Sequence, residues 1–295
     1  MDSPTTARIS IDAGRCTRCG RCFEVCGINF LKGPDGSPTP AASPGSCFAC
    51  GHCRAACPAD AIAHDGLGGL RFSPAGGTSA DPYGTLMGLL TLRRSRREFR
   101  DEPLSRELID KLLLAAAQAP NAINRRNVHY TVVTDKDALR GMSRRASEQV
   151  VKLTKLLGNP LGRLVFRVFF RRAAKELEPL FPLLGFFAKA AETGKDAILY
   201  GAPCAILVHT PVSDGAGGAE DACYAASNIL LAAEALGLGA CVIGFITGPI
   251  EKDKELRRLA RLSDDRKVQT TVIVGRPRFP YAKALTRPAP PTTLV

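Results

Sequence analysis

Apolar positions along the 295-residue chain follow two different periods. Leu108, Ile109, Leu112 and Leu113 share one face at helical spacing, and Ser105 stands just ahead of them with a side chain suited to capping the first turn. The stretch 86–97 reads as a helix running into a cluster of arginines, and 136–193 as helical with a break at Pro160. An Ala-rich buried helix is expected over 220–236, and a charged surface helix over 251–262. Three runs rich in β-branched residues have strand length instead: VHYTVVT at 128–134, CAILVH at 204–209 and QTTVIV at 269–274. Helices and strands mix irregularly, which predicts an α+β fold. The apolar interval 222–246 is interrupted by Ser227, Asn228, Glu234 and glycines, so it reads as buried helix, loop and strand rather than a membrane span.

The first 66 residues have another texture: short segments separated by turn residues, with a Gly/Pro/Ser-rich stretch at 33–46. Beyond them, GLGGLRFSPAGGTSADPYG at 66–84 shows neither period and reads as a linker. The expected organisation is a small domain over 1–66, a linker over 67–85, a larger domain over 86–288 and a tail over 289–295. Residues 1–11 carry no apolar run, so no secretory peptide is expected and the cytoplasm is the expected location. Charge sharpens the division. The chain has 40 Lys and Arg against 28 Asp and Glu, a net charge of +12, yet the first 66 residues hold six of each sign. The basic excess therefore belongs to the larger domain.

Eight of the 11 cysteines form two copies of one spacing, C-x2-C-x2-C-x3-C: Cys16, Cys19, Cys22 and Cys26, then Cys47, Cys50, Cys53 and Cys57, with Pro58 next. Three thiolates at this pitch wrap the corners of one cubane and the fourth points away to a second. The first 4Fe-4S cluster is thus expected on Cys16, Cys19, Cys22 and Cys57, and the second on Cys47, Cys50, Cys53 and Cys26. Zinc sites use paired cysteines with a longer gap, and a disulfide framework does not suit the cytoplasm. Gly27 stands where proline often follows the fourth cysteine, which removes no ligand. These residues resemble a bacterial two-cluster ferredoxin.

In the larger domain, RRSRREF at 93–99 puts several guanidinium groups and a hydroxyl together, a combination suited to a dianionic phosphate. Alone, the string could equally be a solvated basic segment or a nucleic-acid patch. Four further segments follow: APNAINRRNVHY at 119–130, GAPCAILV at 201–208, AAEALGLGACVIGF at 232–245 and GRPRFPYAKALTR at 275–287. In this order and at these separations the chain resembles the FMN-dependent nitroreductase family from about residue 86 to 288, especially members with an N-terminal ferredoxin module. The resemblance implies an α+β flavin domain with a central mixed β-sheet. It implies that Arg93, Arg94 and Ser95 hold the FMN phosphate and ribityl chain, and that Arg97 lies beside the pyrimidine edge of the ring, where a cation stabilises reduced flavin. Pro120, Asn121, Ala122 and Asn124 match a loop contributed by the second subunit, implying a homodimer. Gly237, Leu238, Gly239, Ala240 and Cys241 match the segment whose backbone lies near the ring, where small residues permit close approach. Lys283 and Arg287 match the C-terminal basic pair that closes on the phosphate. One departure stands out: the family's loop usually reads N-x-Q-P, whereas here Arg126 takes the glutamine position.

Other features point less sharply. Arg163, Arg167, Arg171 and Lys175 line one face of a basic amphipathic stretch opposite Phe166, Phe169 and Phe170, which reads first as a helix packing its aromatic face. An acidic redox partner or a membrane surface is a less favoured use of it. His52 is expected to be a tuning or surface residue rather than a ligand, His129 to be a core histidine, and Cys204, Cys223 and Cys241 to be buried small residues, Cys241 near the flavin. GLGGL at 66–70 and GAGG at 215–218 are not a Rossmann fingerprint, so NAD(P)H use is open but unsupported by motif.

The expected activity is an oxidoreductase passing electrons from two 4Fe-4S clusters to FMN and on to a small nitroaromatic- or quinone-like acceptor, with ferredoxin or another redox protein as donor. The reverse flow, a flavin dehydrogenase exporting electrons through the clusters, uses the same residues. A non-enzymatic redox-responsive carrier is the third reading; nucleic-acid binding through Arg93, Arg94, Arg96, Arg97 and Arg100 is disfavoured because it leaves the ordered flavin-type segments unexplained.

Overall fold

Gly20 and Gly51 both adopt left-handed backbone, φ +73° and +71°, immediately before α1 (Arg21–Val25) and α2 (His52–Ala56). The cysteine repeat is thus a repeat of backbone conformation as well, with glycine at a matching left-handed position in each copy. These elements belong to a computed structural model that describes residues 8–41, 47, 51–67, 71–74, 81–120, 127–169 and 181–294. The chain folds as two units, Met1–Arg93 with Phe279–Val295, and Arg94–Arg278.

In the first unit, β1 (Ile9–Ile11), β2 (Phe30–Lys32), β3 (Pro38–Pro40) and β4 (Ile62–His64) form two short antiparallel pairs, β1 with β4 and β2 with β3. Phe30, Ile9 and Ile62 are buried with Cys22, Cys47, Cys53 and Cys57 in one small core. Within the stretch read as linker, Arg71–Pro74 forms β5, and further on α3 (Pro82–Leu92) starts where Asp81 accepts a hydrogen bond from the Gly84 N–H at 2.6 Å. Pro82 at the first turn costs nothing, because its missing N–H would have had no helical partner.

The second unit carries α4 (Arg106–Ala116), β6 (His129–Val133), α5 (Lys136–Gly158), α6 (Pro160–Phe169), α7 (Phe181–Glu192), β7 (Cys204–Pro211), α8 (Gly215–Ala235), β8 (Gly239–Val242), α9 (Gly244–Lys252), α10 (Lys254–Leu259) and β9 (Arg266–Gly275). Ser105 caps α4 as expected, and Asp135 caps α5. The four strands pair antiparallel in the order β6-β7-β9-β8. A parallel bridge between Ser95 and Ala240 on β8 makes the sheet mixed at that edge. Alternate residues of β7 face opposite cores. Ala205 and Leu207 pack with α5, α7, α9 and α10 residues, while Cys204, Ile206 and Val208 pack with α4 and α8 residues. Burial on both faces explains why β7 reads as a continuous apolar run.

The chain then returns to the first unit through β10 (Lys283–Thr286), which pairs antiparallel with β5 in the register Lys283↔Pro74 to Thr286↔Arg71.

Two sequence expectations change here. The helix expected over 86–97 stops at Leu92, and the arginine string runs extended, because the Arg96 N–H donates to the Ala240 carbonyl at 3.0 Å. The helix expected over 251–262 is two helices, since the Asp253 carboxylate caps the N–H groups of Glu255 and Leu256 and starts α10 afresh.

Candidate functional site

In the first unit, burial pushes the Cys22 thiol up to about 12; a backbone hydrogen bond at Phe23 opposes this, and the neighbouring thiols of Cys57, Cys19 and Cys16 add to it. Those four residues are the set expected to hold the first cluster, with Cys57 reaching in from the second repeat. Main-chain N–H groups point at two of them: Arg18 N–H at 3.4 Å from Cys16 Sγ, and Ala61 N–H at 3.3 Å from Cys57 Sγ. Cys26, Cys47 and Cys53 of the second set lie in or against the same apolar core, and Cys50 lies outside the described residues. The Asn29 amide donates to Cys26 Sγ at 3.6 Å, and His64 Nε2 lies 3.1 Å from Cys47 Sγ. Among the described residues, no three His, Cys, Asp or Glu side chains converge tightly enough for a single metal ion. Thiolates that ligate different irons of a cubane stand wider apart, and N–H groups aimed at sulfur suit an iron–sulfur cluster.

In the second unit, the main-chain pairing at Ser95 and Arg96 lays two of the five flavin-type segments side by side: the arginine string and Gly237–Cys241. Gly237, at φ +68°, ends α8 in a Schellman turn, with Leu238 N–H donating to the Ala233 carbonyl at 2.8 Å. That turn delivers Gly239 to the strand. A Cβ on Gly239 would meet Arg96 Cβ at 2.8 Å, so only glycine lets the arginine string approach β8 this closely. Arg94 and Arg96 are buried at 6% exposure each, along with Glu98 at 7%, and Arg97 is half-buried. Buried guanidinium groups are donors suited to a phosphate-bearing ligand.

The structure adds residues that the sequence did not single out. Tyr200 places its ring 5.6 Å from the Arg97 guanidinium carbon. Burial pushes its phenol up to about 12, Arg97 opposing. Tyr200 and Gly201 both have positive φ, +57° and +64°, in a turn held by Asp196. The Asp196 carboxylate accepts from Ile198 N–H at 3.0 Å, Leu199 N–H at 2.8 Å, Gly201 N–H at 2.8 Å and Ser143 Oγ at 2.5 Å.

The remaining candidates scatter. Pro120 is exposed after α4, and Asn121, Ala122, Asn124 and Arg126 lie outside the described residues. Arg93 closes α3, its N–H donating to the Leu89 carbonyl at 2.9 Å. Lys283, on β10 of the first unit, is ion-paired with Asp60, and Arg287 is exposed. Cys204 and Cys241 are buried as expected, and burial pushes the Cys204 thiol up to about 12. Cys223 is exposed on the outer face of α8, and His129 is exposed because β6 is an edge strand, so neither is a core residue. The core histidine is His209, brought down to about 4 by burial and by Arg266 and His129. His52 is buried, its ring 6.3 Å from that of Tyr281. On α6, Phe166 packs on the core but Phe169 is 75% exposed, so the aromatic face is only partly covered. Phe170, Arg171, Lys175 and the side chains of Arg163 and Arg167 lie outside the described residues. No helix among the described residues is long and apolar enough to cross a membrane.

Comparison with known proteins accounts for both units. The nitroreductase family profile matches residues 90–276, and the 4Fe-4S dicluster domain profile matches residues 15–62. Over 172 residues the chain is 30% identical to FMN reductase (NAD(P)H) of Bacillus subtilis (strain 168), a match taking in 58% of this chain and 59% of that protein. The chain thus covers less than two thirds of that relative's length. An FMN-dependent nitroreductase from Clostridium difficile R20291 superposes with a TM-score of 0.51 at 22% identity, covering 71% of this chain and 98% of that one. A nitroreductase with bound FMN from Desulfitobacterium hafniense DCB-2 gives 0.49 at 19% identity, over 71% and 97% of the two chains. With the matched profile extending over more than half of its length, the chain belongs to the nitroreductase family and carries a 4Fe-4S dicluster domain ahead of the nitroreductase fold.

Proposed function

We propose that the protein is an FMN-dependent iron–sulfur oxidoreductase that passes electrons from two 4Fe-4S clusters through the flavin to a small nitroaromatic- or quinone-like acceptor. The observation that carries this reading is the hydrogen-bonded pairing of Ser95–Arg96 with Ala240, which joins the phosphate-type string to the glycine-containing segment. When bound, the clusters supply single-electron transfer and the flavin supplies one- or two-electron chemistry, a combination that couples a one-electron donor to hydride-type reduction.

The residues divide this work. Cys16, Cys19, Cys22 and Cys57 hold one cluster, and Cys26, Cys47, Cys50 and Cys53 the other. Arg94 and the Ser95 hydroxyl bind phosphate, while Arg97 places a cation beside the ring. Gly239 leaves the backbone near the ring uncovered, and Tyr200 fixes the direction of Arg97. A second copy of the chain supplies the loop with Pro120, Asn121, Ala122 and Asn124, giving a homodimer. The name of the Bacillus subtilis relative supports FMN and leaves nicotinamide as a competing donor.

The test is anaerobic purification followed by assay of iron, acid-labile sulfide and flavin. About eight iron, about eight sulfide and about one FMN per chain are expected. The loaded protein should then reduce a nitroaromatic acceptor with reduced ferredoxin as the electron source. Protein that takes up no flavin even after incubation with FMN would remove the enzymatic reading. Flavin bound without turnover from reduced ferredoxin would shift the donor to nicotinamide or reverse the flow.

A further inference from the structure

By motif alone, His52, inside the second cysteine repeat, is the histidine expected to serve a cluster. The structure points to a further histidine, His64. Strand β4 alternates, with Ile62 and His64 buried and Ala63 exposed, so its register with β1 turns the imidazole inward. Both ring nitrogens are then engaged. The Gly66 N–H, in the turn that follows β4, donates to Nδ1 at 3.1 Å. A main-chain amide can only donate, so Nδ1 carries no proton and the imidazole hydrogen is on Nε2. Nε2 is the atom 3.1 Å from Cys47 Sγ, and it therefore donates to that sulfur. The fold fixes both the tautomer and its target.

A second side chain behaves alike. Asn29, 3% exposed, donates its amide to Cys26 Sγ at 3.6 Å. Cys26 and Cys47 come from different halves of the repeat but belong to one ligand set, the second. In the first set, Cys16 and Cys57 receive their hydrogen bonds from the main chain of Arg18 and Ala61. Among the described residues, the sulfurs of the second set thus meet side-chain donors where those of the first meet main-chain donors.

A hydrogen bond to a ligating thiolate stabilises the reduced cluster, which bears one more negative charge, more than the oxidised one, and so raises the reduction potential. Resting on the two-cluster reading above, we propose that His64 is a positioning residue that raises the potential of the second cluster through its Nε2–H bond to Cys47, with Asn29 a weaker donor at Cys26. The effect makes the two clusters inequivalent and biases a first electron toward the second. No proton is transferred and no ligand is exchanged.

The test uses full-length protein purified without oxygen: wild type, His64→Leu, His64→Gln and Asn29→Leu. Iron content is measured first, then the two midpoint potentials by redox titration followed by electron paramagnetic resonance. In His64→Leu one midpoint should move to a more negative value while the other holds. His64→Gln, whose amide can still donate, should recover part of the shift, and Asn29→Leu should move the same midpoint by less. Unchanged midpoints in fully loaded His64→Leu overturn the proposal, as does an equal displacement of both, which would signify general loosening. Should His64→Leu lose a cluster, pulsed resonance on wild-type protein with isotope-labelled histidine decides. An imidazole nitrogen coupled to a reduced cluster in both wild type and His52→Phe supports the bond, and its absence overturns it. Wild-type protein with about four iron per chain would overturn the two-cluster reading, and the proposal with it.

Discussion

Tyr200 lies under Arg97, its ring centroid 5.6 Å from the guanidinium carbon, in left-handed backbone within the turn that Asp196 holds. If Arg97 serves the flavin, Tyr200 sets where its charge points. A cation–π contact contributes about 0.5–2 kcal/mol, so Tyr200→Leu should weaken FMN binding by about 2- to 30-fold. Tyr200→Phe, which keeps the ring, should lose less. Titration of flavin-free protein followed by flavin fluorescence measures this, and equal affinities for wild type and the leucine variant would separate Arg97 from the flavin.

Gly239→Ala forces a Cβ to within 2.8 Å of Arg96 Cβ and 2.9 Å of its Cγ, atoms at the base of a side chain that cannot swing aside. The arginine string must move away from β8, at a cost of about 1–3 kcal/mol. A lower melting temperature and reduced flavin content are expected together, with iron content unchanged because the cysteines lie in the other unit. Flavin retention at the wild-type level would show that the close pairing is dispensable.

Asp60 is held below the usual carboxylate range, first by the Lys283 hydrogen bond, with burial opposing and Arg54 assisting. A depressed carboxyl contributes stability above its unfolded value of about 4 and loses it as pH falls through the folded one. Asp60 is partly exposed, its side chain at 35%, so the pair is expected to contribute only about 1 kcal/mol. Lys283→Met should lower the stability of the iron–sulfur unit by that amount at pH 7 and leave it unaffected well below the acid transition. Urea unfolding at both pH values checks the sign.

His209 gives the second unit its own acid limit. Its value near 4 lies below the ordinary imidazole value of 6.5, so the native state resists protonation. Stability is fully present above 6.5 and falls between there and about 4, by roughly 3 kcal/mol at 1.36 kcal/mol per unit. His209→Gln, able to keep a hydrogen bond to Thr131, should flatten that limb. A pH profile as steep as the wild type's would assign the acid sensitivity elsewhere.

What could be read from the chain was what is local or periodic. The cysteine spacing carries its own ligand geometry, and the approach of Cys57 to Cys16, Cys19 and Cys22 follows from duplication. β7 and the cap at Ser105 also depend on near neighbours. The extended course of 93–99 was hidden because its hydrogen-bond partner, Ala240, is remote in sequence and helix propensity alone favoured continuing α3. Tyr200 was hidden because a turn held by one carboxylate has no period. His64 lies in no motif, and only the register of β4 with β1 turns it toward Cys47.

The pairing of β5 with β10 also has a consequence for how the protein is made. A ribosome delivers the cysteines first, but the strand that completes their unit emerges only after the whole nitroreductase fold has been synthesised. Until then β5 is an edge lacking its neighbour, and Asp60 lacks its lysine. The iron–sulfur unit thus begins before the nitroreductase fold and closes only after it.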